Sequence, residues 1–292
     1  MEAKIEAKNT QTIGDRIRAY AAHPFSGIMA VLILLASLIT FCVLIFLVVF
    51  IIVKGIPYIK PDLFAFTYTT ENASLMPALI NTLIMTALSL VIAVPIGIFS
   101  AVFLVEYAAR GSKLVSLIRI TTETLSGIPS IIYGLFGLLF FSTALGWGFS
   151  LLSGSLTLVI MILPLVIRTT EEALKSVPDS YREASFGLGA GKLRTIFRIV
   201  LPSAVPGILA GVILATGRIV GETAALIYTA GTVAQVPSNL LGSGRTLAVH
   251  MYVLSSEGLY MNQAYATAVI LLIIVLLINW LSGRIAAKIA KN

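Results

Sequence analysis

The sequence is poor in charged residues and nearly lacks the residues that build disulfides and metal sites. Charged residues make up 11% of its 292 positions, whereas an average soluble domain has about 25%, so a soluble globular protein is excluded. A single cysteine, Cys42, excludes a disulfide framework and a cysteine zinc site. The two histidines, His23 and His250, are far apart in the sequence, so we expect no metal in this chain.

What the chain has in abundance is apolar sequence. Hydrophobic residues make up 58% of the chain, and its mean hydropathy is +0.99. A bilayer-spanning helix needs about 20 apolar residues, and the charge-poor stretches predict an all-α integral membrane protein with six such helices. The predicted spans lie at 27–53, at 77–105, twice within 124–167 on either side of a turn at 146–148, at 201–226 and at 263–282. Four prolines are expected to bend them: Pro95, Pro129, Pro164 and Pro206.

The positive charge is distributed unevenly between the two sides of the predicted bundle. The net charge is +7, and sixteen of the twenty Lys and Arg lie in the N-terminal segment, in 106–123, in 168–200 and in the C-terminal tail. This bias predicts that both termini and the 168–200 loop are cytoplasmic, and it accounts for the charge without nucleic acid. The predicted organisation is a cytoplasmic segment 1–26, a first transmembrane helix 27–53, a transmembrane domain 75–283 containing the loop 168–200, and a cytoplasmic tail 284–292.

The 168–200 loop is predicted to carry a short helix between two breaks. Pro178 ends the preceding helical pattern, and Ser180 and Glu183 have the spacing of a capping box, which predicts a helix start at Ser180. Three glycines limit the length of this helix: Gly187, Gly189 and Gly191. The glycine-rich run ending at Lys192 lacks the Walker spacing, so we do not expect this chain to bind nucleotide. A short exposed helix of this kind suits docking on a soluble partner.

The same loop contains a longer motif with fixed spacing. Glu183-Ala184-Ser185, then Gly189, then Ile199, Leu201 and Pro202 resemble the EAA motif of ABC-importer permeases, with Ser185 at a position where that motif has alanine. The resemblance implies a type I ABC-importer permease architecture. It also implies that the short helix couples to a cytoplasmic ATPase dimer. That dimer, and not this chain, would use ATP and Mg²⁺.

Two charges fall inside the predicted fifth helix. Arg218 and Glu222 are four residues apart, which would place them on one helix face. A charge at bilayer depth is costly and normally faces a partner or a water-filled path. An arginine fork suits phosphate or carboxylate, but a structural ion pair between the two residues explains them equally well. Glycines four apart in this helix are expected to pack closely on a helix of this chain or of a sister subunit: Gly207 with Gly211, and Gly217 with Gly221.

The sequence around these charges is similar to that of the permease family of phosphate ABC importers. The similar segments are 217–231, 126–137 and 167–174. The resemblance implies that Arg218, Arg168 and Glu222 serve a phosphate path, although an arginine where the fourth helix meets the cytoplasm, as Arg168 does, is more often a topology anchor.

The resemblance also implies partners and a location. The partners are a second permease subunit, an external phosphate-binding protein and the lipid bilayer. The location is the plasma (inner) membrane of a bacterium or archaeon, crossed several times. Three alternatives stay open: a permease for another oxyanion such as sulfate or molybdate, the sister permease of the same importers, and a secondary transporter that works alone. An intramembrane enzyme is disfavoured because the chain has no HExxH motif and no clear nucleophile–base spacing.

Overall fold

The computed structural model describes residues 23–109, 111–256 and 258–289, and within these ranges the chain is helical with no β-strand. The chain divides into two units, Met1–Val53 and Lys54–Asn292. The helices are α1 (Pro24–Gly55), α2 (Met76–Tyr107), α3 (Lys113–Ser126), α4 (Ser130–Ala144), α5 (Leu151–Lys175), α6 (Asp179–Gly187), α7 (Lys192–Val220), α8 (Ala224–Ile227), α9 (Leu247–Ser256) and α10 (Met261–Ile289).

The first unit contributes one long apolar helix. α1 has 32 residues, or about 48 Å at 1.5 Å per residue, which is enough to cross a bilayer with tilt. Most of its large side chains are exposed, including Leu34 at 67%. Apolar side chains exposed along a whole helix are what a lipid environment requires, because such a surface is unfavourable in water.

The second unit is organised around α5. This helix packs against both α2 and α7, and the main core cluster is built from buried side chains of these three helices and of α4, α8 and α9. Small residues allow close approach: a Cβ on Gly97 of α2 would lie 2.6 Å from Val166 of α5, and one on Gly207 of α7 would lie 2.7 Å from Ala173 of α5. Tight contact through glycine is typical of helix packing in membranes. α5 therefore forms the centre of the unit.

The two predicted glycine pairs of α7 differ in their neighbours. A Cβ on Gly207 or Gly211 would contact Ala173 or Thr169 of α5, so this pair packs on a helix of its own chain. A Cβ on Gly217 would meet nothing within 4 Å. The prediction of close packing thus holds within the chain for the first pair, and Gly217 has open space around it.

The third predicted span is broken. α3 and α4 meet at an angle of 100° across Gly127–Pro129, so the bend expected at Pro129 is present, but it divides the predicted span into two helices, the first of which begins before residue 124. Pro129 precedes the first residue of α4 and has an extended ψ of 138°, which stops α3 from continuing. The described residues contain five helices long and apolar enough to cross a membrane, and six spans if α3 and α4 are counted as one.

The fifth predicted span has different bounds. We expected the fifth span at 201–226, but α7 begins nine residues earlier and runs without a break from Lys192 to Val220. A π-helical turn over Ile196–Val200 comes directly before Pro202, and such a turn lets a helix accommodate proline. At its other end α7 stops six residues earlier than expected. Gly221 follows it, and the short helix α8 begins at Ala224.

The loops gather at two ends of the second unit. At one end, α6, the ends of α2 and α5 and the starts of α3 and α7 surround a cavity of about 640 Å³ that contains four basic side chains. We call this the basic end. At the other end, the segment 60–75 contacts the segment 232–250 and α2. The turn at Gly146–Gly148, where the sequence places it, lies between α4 and α5. We call this the opposite end.

The contact between α4 and α8 gives a test of the fold. A Cβ on Gly134 would lie 2.7 Å from the backbone Cα of Ala225, and backbone cannot rotate away as a side chain can. We expect Gly134→Ala to cost about 1–3 kcal/mol of stability through overpacking, seen as a lower midpoint of thermal unfolding in detergent. Gly217→Ala is the matched control, because its Cβ has open space. Equal midpoints for the two variants would contradict the packing described.

Candidate functional site

The short helix α6 forms as predicted but starts differently. It begins at Asp179, its N-cap residue is Pro178, and no side chain caps it. Because the helix starts one residue early, Ser180 already lies inside it, and the predicted capping box of Ser180 with Glu183 is wrong. Asp179 places a negative charge in the first turn instead, which is favourable at a helix N-terminus.

The end of α6 is fixed by Gly189. This residue has φ +79°, a left-handed conformation that glycine adopts without a steric penalty. The N–H of Ala190 donates to the carbonyl of Ser185 at 3.0 Å, and the N–H of Gly189 donates to the carbonyl of Phe186 at 2.9 Å. This pair of bonds is a Schellman motif, and it ends α6 at a defined residue.

The motif residues of α6 divide between a buried side and an exposed side. Ser185 is buried, and its hydroxyl shares a hydrogen bond of 2.8 Å with Thr195 of α7. Glu183 and Ala184 are exposed. Several large hydrophobic residues around them are exposed as well, and Leu188 reaches 89%. The others are Tyr181, Phe186, Leu193 and Phe197. We call these five residues the apolar patch of α6.

The remaining motif residues lie on α7 and not in a loop. Ile199 is the fourth of the five residues of the π-helical turn, and Leu201 and Pro202 follow that turn. Ile199 and Leu201 are half-buried, whereas Pro202 is exposed. The motif therefore covers α6, the turn after it and the first half of α7, which are joined through the bond between Ser185 and Thr195.

Arg182 ties α6 to two long helices. Its Nε and Nη2 donate to Oε1 of Glu106, at the end of α2, at 3.1 and 2.8 Å. Its Nη2 and Nη1 also donate to the carbonyls of Leu174 and Val177 at the end of α5, at 3.0 and 2.8 Å. The side chains of Arg182 and Glu106 are 14% and 9% exposed. Charge-assisted bonds in such a poorly hydrated place are strong, so α6, α2 and α5 are held together here.

A second group of charges surrounds Arg168 at the basic end. Glu171 is buried and accepts ion pairs from Arg119 of α3 and Lys175, at 2.7 and 2.6 Å. Arg168 itself is exposed, and its Nε donates to Glu172 at 3.1 Å. All five side chains line a cavity of about 210 Å³. Arg168 therefore lies in a wet, charge-rich region one to two turns before the end of α5.

Arg218 and Glu222 do not form the ion pair that their spacing allowed. Arg218 lies in the last turn of α7, half-buried, and makes no hydrogen bond or ion pair with any residue that the structure describes; it interacts electrostatically with Tyr133 of α4. Glu222 lies beyond the end of α7, so the prediction that both occupy one helix face is wrong. Its buried carboxylate accepts the N–H of Ala225 at 3.0 Å and caps α8.

Three features of the second unit were not visible in the sequence. The pair of Arg182 with Glu106 joins residues 76 positions apart, and no local pattern indicates such a contact. Glu171 looks like any acidic residue at the end of a helix. A buried arginine, Arg245, lies at the opposite end of the unit at 4% exposure. In the sequence, Arg245 appears only as a single basic residue in a glycine-rich loop, and this pattern does not indicate that it is buried.

Comparisons with known proteins identify relatives over most of the chain. Residues 93–291 match the family described as binding-protein-dependent transport system inner membrane component. The chain is 33% identical over 285 residues to the probable ABC transporter permease protein YqgI of Bacillus subtilis, covering 88% of this chain and 95% of that protein. It is 36% identical over 232 residues to the phosphate transport system permease protein PstA of Xylella fastidiosa, covering 77% and 80%.

A solved structure with the same fold has a more distant sequence. A chain of a bacterial alginate ABC transporter, crystallised with an alginate pentasaccharide-bound periplasmic protein, superposes with a TM-score of 0.68 at 17% identity, covering 94% of this chain and 99% of that one. This similarity shows the fold alone. The arrangement of helices is that of an ABC-importer permease.

Proposed function

The chain belongs to the binding-protein-dependent transport system inner membrane component family, and from this premise we propose that it is a permease subunit of an ATP-driven phosphate importer. In this proposal it forms the translocation path with a second permease in the plasma membrane of a bacterium or archaeon. An ATPase dimer docks at the basic end, which is then cytoplasmic, and an external binding protein delivers phosphate at the opposite end. The chain itself holds no cofactor and catalyses no reaction.

One observation carries the choice of phosphate. The chain is 36% identical over 232 residues to a protein named as a phosphate transport system permease, and this alignment covers most of both chains. The geometry at Arg218 is compatible with that substrate. Its guanidinium stays charged at any working pH and fits two oxygens of a phosphate.

The position of Arg218 supports a role in the path. It lies at the end of α7, next to the break before α8, and no carboxylate among the described residues neutralises it. A half-buried arginine without a carboxylate partner keeps its hydrogen-bond donors available to a passing anion. In the proposed mechanism Arg218 attracts phosphate, and weak binding lets the ion leave again. Glu222 has a different role, because its carboxylate is used to cap α8.

The apolar patch of α6 supports a soluble partner at the basic end. Leu188 directly follows the short helix α6 and is 89% exposed beside charged residues, a place where lipid is not expected. An exposed apolar surface rimmed by polar residues is typical of a protein–protein contact. A transporter that works alone has no need of such a surface, which disfavours that alternative.

Arg182 gives α6 a means of passing force to the membrane helices. It bonds to Glu106 of α2 and to two carbonyls at the end of α5, while Ser185 bonds to Thr195 of α7. A displacement of α6 by a closing ATPase would therefore move the ends of three helices together. In this proposal Gly189 keeps α6 short enough to fit the partner.

The substrate can be tested with the assembled complex. We expect the ATPase activity of the complex in lipid nanodiscs to rise several-fold when a phosphate-loaded binding protein is added, since loaded binding protein signals the presence of substrate. The matched control is the same binding protein without phosphate. Stimulation by a sulfate- or molybdate-loaded binding protein instead would refute phosphate and favour the alternative oxyanion permease.

The path role of Arg218 predicts a selective loss of transport. We expect Arg218→Gln to lower phosphate uptake by at least tenfold, because the substituted side chain has no positive charge, while the assembly of the complex is unchanged. Arg168→Gln is the comparison variant, and we expect it to lower uptake less than Arg218→Gln does. The exposed ion pair of Arg168 with Glu172 should stabilise the protein by less than about 1 kcal/mol. Uptake by Arg218→Gln at the normal rate would remove this residue from the path.

The role of Arg182 can be tested by exchanging charges. We expect Arg182→Glu to uncouple ATP hydrolysis from uptake, because it leaves Glu106 buried without its partner at a cost of roughly 3 kcal/mol. The double variant Arg182→Glu with Glu106→Arg should recover part of the coupling. Arg194→Glu, at an exposed position of α7, controls for charge alone. Absence of any recovery in the double variant, or an equal effect of Arg194→Glu, would contradict this role.

A further inference from the structure

The opposite end of the second unit contains an arginine that is buried more deeply than any basic residue of the candidate path. Arg245 is 4% exposed and lies in the segment between α8 and α9. Its guanidinium covers the ring of Tyr68 at 4.8 Å, and its Nη1 makes a long hydrogen bond of 3.4 Å to the carbonyl of Thr232. The carbonyl of Arg245 accepts the side-chain amide of Asn81. The residue therefore sits where three segments meet.

No negative charge balances Arg245 within the part of the chain that the structure describes. It takes part in none of the ion pairs there, and arginine cannot lose its proton at working pH. Its buried neighbour His250 does not add charge, because burial and then the charge of Arg245 lower the pKa of His250 to about 3. Burying an uncompensated charge is unfavourable, so an anion near Arg245 would be favoured.

The unused donors of Arg245 have the geometry of a binding fork. Its Nε and Nη2 are buried and make no hydrogen bond to any described residue. These two nitrogens form one edge of the guanidinium, with parallel N–H groups that match two oxygens of a carboxylate or phosphate. The hydroxyl of Thr246, the next residue, is also buried without a partner and could donate a third bond. Water could accept these bonds but could not balance the charge.

We infer that the fork of Arg245 is an oxyanion-binding position at the opposite end of the chain, and that inorganic phosphate occupies it before reaching Arg218. This inference rests on the proposed function for the identity of the ion. A small ion suits the position better than a carboxylate of another protein, because both nitrogens of the fork are buried inside the second unit. The ring of Tyr68 lies against the guanidinium at 4.8 Å.

The test measures phosphate binding to the complete complex in nanodiscs, without binding protein, by equilibrium dialysis with radiolabelled inorganic phosphate. We expect Arg245→Lys, which keeps the charge and loses the fork, to weaken binding at least tenfold while the complex still assembles. Lys60→Gln removes an exposed positive charge at the same end and should leave binding within twofold. A structure of the phosphate-soaked complex should place the ion on Nε and Nη2 of Arg245.

The outcomes separate this inference from the proposed function. Phosphate binding that is unchanged in Arg245→Lys would overturn the inference even if phosphate-loaded binding protein still stimulates the ATPase. Binding of sulfate or molybdate in place of phosphate, weakened in the same way by Arg245→Lys, would support the oxyanion position and overturn the phosphate assignment. An equal loss of binding in Lys60→Gln would reduce the effect to general electrostatics and also overturn the inference.

Discussion

A helix that is interrupted at bilayer depth has to satisfy its free backbone groups within the protein, because lipid offers no hydrogen bonds. Among the residues that the structure describes, the second unit is interrupted in this way between α3 and α4 and between α7 and α8. At the first, the hydroxyl of Tyr133 donates to the carbonyl of Leu125 at 2.6 Å. At the second, the carboxylate of Glu222 accepts the N–H of Ala225 at 3.0 Å. Side chains therefore replace the missing backbone bonds. The position of Arg218, just before the second interruption, depends on the bond between Glu222 and Ala225.

The two interruptions also support each other. α4 packs directly on α8, so closely that Gly134 has no space for a side chain against Ala225. Neither element is long enough to cross the membrane unaided, since α8 has four residues and a span needs about 20. Arg218 lies immediately before this contact and interacts with Tyr133 across it. A charge in the last turn of a helix, next to two short elements, can shift with them more easily than a charge in the middle of a continuous helix.

Hydropathy and glycine chemistry in the sequence predicted much of this arrangement, and contacts between distant residues decided the rest. The apolar runs predicted the long helices because a span is a local property. The turn at Gly146 and the end of α6 at Gly189 followed from positions that need positive φ. The end of α7 did not follow, because helical spacing made Arg218 and Glu222 look like a pair. The early stop depends on the packing of α8 against α4, which no local pattern contains.

Three arginines of the second unit show how bonding sets what a guanidinium can do. Arg182 has 14% of its side chain exposed and uses its donors on Glu106 and two carbonyls, so it serves as a connection and has little capacity for an ion. Arg218 is half-buried and makes no bond to the described residues, so water can hydrate it and an anion can displace that water at modest cost. Arg245 is buried with one edge unused, so bulk solvent does not compensate its charge. Arg218 and Arg245 have guanidinium donors that bond to no described residue, so these two arginines are suited to binding an anion. The depth of burial of each arginine determines how tightly it should hold that anion.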